Sequence, residues 1–324
     1  MKSKINVYQF HETNAAEWDT FVCCSSNGTM FHKRSFLGYH IDRKIEDHSL
    51  MLKLNKKIIS VFPAAVIYNG SKKILFSHPG ATIGGFVTKD NPSLKKSFDL
   101  VESLVLYAKN ENFFGIEVTL PPDCYSDILS NYLEFAMLNV GFTYLKREVS
   151  SIIFFSDTIG ETVKGFKPSH RQAIRKAERE GVKIRQSTDF ETFYGILKNN
   201  LSKRHGVTPT HSLKELERLN TIFPQKIILY AAYFNDKMIA GVLSFILNKR
   251  IELAFYISHD EKYQKKRALN LLFYRIFEKA IQKKTKVFDF GIFTENEEPN
   301  FGLARFKENF GARGVFRNTI QIKL

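Results

Sequence analysis

Residues 55–79 read NKKIISVFPAAVIYNGSKKILFSHP, and residues 235–259 read NDKMIAGVLSFILNKRIELAFYISH. Each stretch opens at an asparagine with a lysine two residues on. Each then runs through a β-rich apolar segment, breaks at polar residues and resumes as a second β-rich segment. An asparagine-led turn followed by two β-rich segments split at polar residues predicts a β-hairpin or meander. A helix-spaced stretch follows in both places, with Phe98, Val101, Leu104, Val105 and Ala108 in 94–110, and Leu269, Leu272, Phe273, Ile276, Phe277 and Ala280 in 267–283. A short strand comes next, FFGIEVTL at 113–120 and KVFDFGIF at 286–293, with Glu117 and Asp289 at matching places. Finally YLEFAMLNVGF (132–142) parallels GLARFKENFGA (302–312), matching Leu133 with Leu303, Asn139 with Asn309 and Gly141 with Gly311. Successive matches in one order indicate that a β–β–α–β–α unit has been duplicated.

The chain has 324 residues, enough for two domains and two hydrophobic cores. We place them at 1–150 and 151–324. Aromatic content is 14% and no low-complexity tract occurs, which excludes a disordered chain. No run of about 18 apolar residues is present, so no membrane span is predicted. The start, MKSKINVYQFHETNAAEW, lacks the apolar core of a signal peptide. Cys23, Cys24 and Cys124 have neither metal-ligand nor disulfide-framework spacing and read as reduced thiols of a cytoplasmic protein. His170, His205, His211 and His259 are scattered, so no metal is expected. The net charge of +15 favours an anionic partner: nucleic acid, a phosphorylated small molecule or an acidic membrane surface.

Between the two copies lies KGFKPSHRQAIRKAEREGVKIR (164–185). Ser169 is the expected N-cap and Gly181 the expected C-cap of a helix. Arg171, Arg175 and Arg179 fall four apart on one face, with Ala173, Ile174 and Ala177 as an apolar stripe opposite. That basic face is either a solvated surface or a landing strip for phosphates.

A duplicated mixed-sheet unit of this kind resembles the GNAT acyltransferase superfamily. HRQAIRKAEREGVKIR (170–185), ELAFYISHDEKYQKKRALNLLFYRIFEKAIQKKTKVFDFGI (252–292) and GLARFKENFGA narrow the resemblance to FemAB-like proteins, and it extends over nearly the whole chain, more weakly in the first half at TIGGFV (82–87). The resemblance implies an α/β (α+β) fold made of a tandem pair of GNAT-like domains, each a mixed β-sheet flanked by helices. The first would be non-catalytic and acceptor-side, the second catalytic and donor-binding. It implies an acyltransferase that moves an acyl or aminoacyl group onto an amine of a cell-envelope precursor, either a peptidoglycan precursor or an amino-sugar intermediate of polysaccharide assembly. The donor is aminoacyl-tRNA or acyl-CoA, used as substrate, with no bound cofactor. Implied partners are an anionic phosphorylated substrate, tRNA on the aminoacyl route, and peripheral contact with the inner membrane where the precursor is lipid-linked. The alternatives are an acyl-CoA-dependent N-acetyltransferase of amino sugars and a non-catalytic binder of RNA or anionic glycolipid on a degenerate GNAT fold.

Acyl transfer to an amine needs a held donor, a deprotonated amine, a stabilised oxyanion and a protonated leaving group. It needs no Ser–His–Asp or Cys–His set, and no nucleophile-elbow motif is present. The resemblance aligns Gln264, Lys265, Lys266 and Arg267 with the glycine-rich turn that cradles the CoA pyrophosphate; both glycines are replaced here, yet three cations at a helix start still attract phosphate. Arg171 and Arg175 are further phosphate ligands if the basic helix serves the site. Lys307 in FKENFG, opposite Met137 in the first copy, is implied to face a donor phosphate or the developing oxyanion, and its spacing from Phe306 and Phe310 predicts a place at the rim of the helix's buried face. Asp289 faces away from Phe288 and Phe290, where it either meets the attacking amine or pairs with Arg305. Tyr256 ends the second hairpin, at the acyl site of GNAT enzymes or as a packed strand aromatic. TENEEPN (294–300) reads as an acidic loop near the site.

Overall fold

The structure, a computed structural model, describes residues 5–40, 43–205 and 208–324, the side chains of 204 and 205 excepted. Residues 1–4 and the His205 side chain, which the sequence reading touched, lie outside this set. The chain divides into two compact units, Met1–Val149 with Val315–Leu324, and Ser150–Gly314.

In the first unit the expected hairpin is Ala65–Asn69 with Lys72–Phe76, across the polar break, and the Asn turn ahead of it joins Leu50–Leu54 to Lys57–Phe62 at Asn55 and Lys56, with φ of +49° and +67°. In the second unit, Ile227–Phe234 and Lys237–Ile246 are joined at Asn235 and Asp236 with φ of +47° and +57°. Two left-handed central residues define the turn whose twist suits a hairpin. Each hairpin carries an irregularity just before its turn, between Leu52 and Lys53 and between Ala232 and Tyr233. Each copy then makes a three-pair parallel ladder: Ile74, Leu75 and Phe76 beside Gly115, Ile116 and Glu117, and Ile251, Glu252 and Leu253 beside Val287, Phe288 and Asp289. Glu117 and Asp289 are the third residue in both, as the repeat requires. The two Asn turns are 180 residues apart, the first strands of these ladders 177 and their second strands 172, so the ungapped reading slips by three residues and then by five more.

The helices Leu94–Asn110 and Ala268–Gln282 follow at the expected places. Leu100, Val101, Leu104, Val105 and Ala108 bury the first against its sheet; Leu272, Phe273, Ile276, Phe277 and Ala280 bury the second. Tyr132–Val140 and Phe301–Glu308 are the matching late helices, followed by Gly141 and Gly311 at φ of +115° and +83°, where a left-handed residue ends the helix.

The last strand of the chain departs from the 151–324 division. Arg313–Lys323 pairs antiparallel with Gly115–Thr119, so Val315–Leu324 belongs to the first unit. Reciprocally, the 150–154 end of Thr143–Phe154 pairs with Val287–Ile292 in the second. Each parallel ladder leaves a strand edge with unpaired N–H and C=O groups, and an antiparallel neighbour satisfies it; sequence order does not say which copy supplies that neighbour.

Candidate active site

In the second unit the strands run in the order Lys183–Ser187, Ile227–Phe234, Lys237–Ile246, Ile251–His259, Val287–Ile292 and then the end of Thr143–Phe154. The ladder between Ile251–His259 and Val287–Ile292 stops at Leu253 and Asp289, while the first strand continues six residues further to His259. An irregularity between Leu243 and Ser244 makes Phe255 the extra residue of that strand. Beyond Leu253 the two strands part, and the candidate site is built around this opening.

A basic cavity of about 740 Å³ is lined by the helix Pro168–Arg179 and the start of Ala268–Gln282. Four cations face it: Arg175, Lys176, Arg179 and Arg267. Arg267 caps the long helix in a left-handed conformation, φ +56°, and makes no side-chain cap hydrogen bond. It thus takes the backbone shape that a glycine-rich turn takes cheaply, and adds a charge. The positive end of the helix dipole lies at the same space. His170 and Asn270 also line the cavity. The His170 ring packs edge-on against Phe310, centroids 4.7 Å apart, and its Nε2 has no hydrogen-bond partner among the described residues. Burial first, and then the Arg267 charge, push its pKa below the ordinary imidazole value.

The structure sorts the expected donor ligands. Arg175 and Arg267 line the cavity. Arg171 turns back, donating to the Phe166 carbonyl at 2.5 Å, and stands outside the lining. Lys266 pairs with Glu180 at 3.3 Å and lies over the Phe234 ring. Gln264 and Lys265 are exposed on the short 3₁₀ turn Glu261–Lys266, away from the cavity. Ser169 is not the N-cap: the helix begins at Pro168, with Lys167 before it, because proline is pre-shaped for a first helical position. Lys176 and Arg179 were missed as site residues, although Arg179 shares the i, i+4 face with Arg175.

At the end of Val287–Ile292, Asp289 is fully buried on the face opposite Phe288 and Phe290, and its Oδ1 accepts the Gly291 N–H at 2.6 Å. Gly291 has φ +75°. Lys307 Nζ donates to the Gly291 and Ile292 carbonyls at 2.8 and 2.7 Å. Lys307 is 1% exposed, so the rim position expected from its spacing is corrected: the ammonium is drawn inward by two carbonyls at an irregular strand end. Asp289 and Lys307 thereby hold Gly291 from opposite polarities, and Lys307 also holds Ile292.

Tyr256 projects from the half of the strand that has parted. Its hydroxyl meets His211 Nδ1 at 2.9 Å and accepts the His211 backbone N–H at 3.3 Å. Burial raises the phenol pKa, with N–H donation from His211 and bonds from Thr210 working against the rise. Tyr194 donates to the His211 carbonyl, and Phe255 stacks on Phe245 at 4.2 Å. The buried His211 was not legible as a site residue, since it comes from a loop distant in sequence. The TENEEPN loop forms a small hairpin, Thr294–Glu295 with Glu298–Pro299, ahead of the Lys307 helix. Among the described residues, no group of three or more His, Cys, Asp or Glu side chains could hold a metal ion.

Residues 165–308 match the acetyltransferase (GNAT) domain family model. No curated protein matches the sequence. Among solved structures, the crystal structure of FemX is similar over 98% of this chain and 97% of its own, with TM-score 0.75 and 13% identity. A tandem GNAT protein from the clavulanic acid biosynthesis pathway is similar over 99% and 98%, with TM-score 0.52 and 7% identity. The C-terminal domain of a putative lysylphosphatidylglycerol synthetase from Agrobacterium fabrum is similar over 80% of each chain, with TM-score 0.53 and 12% identity. With this domain match, the parted parallel strands and the duplicated unit together, the protein is an acyltransferase whose residues 165–308 form a GNAT domain, on the tandem fold of the FemAB-like GNAT proteins.

Proposed function

We propose that the protein transfers an aminoacyl or acyl group from a polyanionic donor onto an amine of a cell-envelope precursor. The observation that carries this reading is the cavity at the start of Ala268–Gln282, where Arg175, Lys176, Arg179 and Arg267 converge beside the helix N-terminus. Such a place stabilises phosphate through the side-chain charges and the positive end of the helix dipole. The charge excess is concentrated in the same unit: Ser150–Gly314 holds 29 of the 48 Lys and Arg but 18 of the 33 Asp and Glu. Likeness to FemX and to a lysylphosphatidylglycerol synthetase domain supports aminoacyl-tRNA as the donor. Both this donor and acyl-CoA place the reaction on the cytoplasmic side, with a soluble or a lipid-linked acceptor.

In this reading the donor's phosphates occupy the cavity and its acyl ester reaches through the opening beyond Leu253 and Asp289. The amine attacks the carbonyl carbon directly, forming the C–N bond as the bond to the leaving oxygen or sulfur breaks. Tyr256, held by His211, is the hydroxyl that hands a proton to the leaving group; burial keeps it protonated until then, and the proton the amine gives up returns to it. Asp289 and Lys307 set the shape of the opposite strand end, and the Lys307 charge stabilises the oxyanion that develops there.

Donor binding measured by filter retention across a salt series tests this. Charged tRNA engaging the four cavity cations gives a log–log slope of about −3, at 0.7 to 0.9 per phosphate contact. Retention of acyl-CoA with a shallower slope and no tRNA binding would assign the protein to acyl-CoA-dependent N-acetylation of amino sugars. Binding of neither donor overturns the proposal.

A further inference from the structure

Helix Ala268–Gln282 has its start at the cavity and is 15 residues long, about 22 Å at 1.5 Å per residue. At its far end stand Lys283, Lys284 and Lys286, all exposed. The N–H groups of Lys286 and Val287 both donate to the Arg250 carbonyl, at 2.8 and 3.0 Å, which holds the turn bearing Lys249 and Arg250 against the helix end. The Ile246 N–H donates to the Lys226 carbonyl at 2.7 Å and brings a further cation alongside. Segments 223–227, 247–250 and 282–287, which meet here, contain no Asp or Glu. Among the acids around them, Glu252 is buried, Glu278, one turn back on the helix, pairs with Arg275, and Asp157 is exposed beyond the end of the adjoining strand. That strand ends at Phe154, opposite Val287, with its ring 57% exposed.

Lysines after a helix complement its dipole, which accounts for Lys283 and Lys284. It does not account for Lys226, Lys249 and Arg250, which come from other elements. We propose that this end of the second unit is a docking surface for an anionic lipid bilayer, separate from the donor cavity. Its composition distinguishes it from a nucleic-acid site. It has five lysines and one arginine, point charges on flexible stems that suit a diffuse sheet of headgroup phosphates. The cavity, with three arginines and one lysine, suits individually held phosphates. Phe154 supplies an apolar tip for the boundary between headgroups and acyl chains. The inference depends on neither donor nor acceptor; what it adds to the proposed function is the particular surface of the second unit that meets the bilayer and its independence of a lipid-linked acceptor.

Cosedimentation of the full chain with vesicles of phosphatidylcholine, alone or with one third phosphatidylglycerol, tests it. The wild type should pellet with the anionic vesicles at low salt and not with the neutral ones. Lys249→Glu/Lys284→Glu/Lys286→Glu should weaken that binding at least about a hundredfold, taking each basic residue near the surface at about fivefold. Lys44→Glu/Lys57→Glu/Lys109→Glu, on exposed positions of the first unit, changes net charge equally and should retain binding. Circular dichroism establishes that both variants are folded. Equal binding to both vesicle types, wild-type binding by the patch variant, or an equal loss in the control variant would each overturn the proposal. So would patch-dependent binding of duplex RNA without vesicle binding. None of these results bears on transfer activity, so failure here leaves the proposed reaction standing.

Discussion

Replacing Lys307 by methionine, the residue at its counterpart Met137, probes the candidate site most directly. From spacing alone, Lys307 belongs at a rim, and Lys307→Met should leave the melting temperature unchanged. The structure changes that expectation, because Nζ is buried and donates to the Gly291 and Ile292 carbonyls. Methionine fills the stem's volume but donates nothing, and leaves two strand-end carbonyls short of a donor. An unsatisfied buried group costs about 1–3 kcal/mol, and relief from burying an ammonium offsets part of the sum for two. A net loss of about 2–3 kcal/mol corresponds to a fall in melting temperature on the order of 5–10 °C for a unit of this size. If the charge also stabilises the oxyanion, turnover per folded molecule falls about 10² to 10³-fold. Differential scanning calorimetry and single-turnover transfer from the identified donor measure the two effects separately. A melting temperature within about 1 °C of wild type would refute the buried geometry. A clear melting loss with turnover within threefold would show that Lys307 only shapes the strand end.

Glu252 is buried, and burial raises its pKa to about 7 against the opposing influence of Ser244 and Lys283. A carboxyl whose folded pKa is raised binds its proton more tightly when folded, so stability is highest below about pH 4.5 and is lost as pH rises towards 7. Glu252→Gln should therefore be more stable than wild type by up to about 3 kcal/mol above pH 7, with the gap closing near pH 4.5; urea titrations at the two pH values check the sign. Arg175→Glu/Arg179→Glu should raise the donor KM at least about tenfold, whereas Lys265→Glu, outside the cavity, should change it less than twofold; equal effects would remove the cavity from the donor site. Gly311 has φ +83°, and an added Cβ would lie 3.1 Å from the Gly165 carbonyl oxygen, so Gly311→Ala should cost about 1–3 kcal/mol in thermal or urea unfolding.

The duplicated fold was legible in the sequence because its signals are local. An asparagine turn between β-rich runs, a 3.6-residue apolar period and a glycine after a helix report backbone preferences that each short segment carries itself. The placement of Asp289 opposite Phe288 and Phe290 followed from strand alternation in the same way. The site needed the assembled structure, since its residues come from segments far apart in sequence. Three charged residues looked alike in the QKKR stretch, yet contacts with Glu180 and Phe234 turn Lys266 aside while Arg267, at a left-handed cap, lines the cavity. Arg171 shares a face with Arg175 and Arg179, but the Phe166 carbonyl captures it. His211 reaches Tyr256 across 45 residues, and Lys307 reaches the Gly291 carbonyl across 16, pairings that no periodicity encodes. Nor did the sequence assign the final strand: Val315–Leu324 has a strand's alternation wherever it is placed, and only the open edge of Gly115–Thr119, formed once the first unit folds, decides where it pairs.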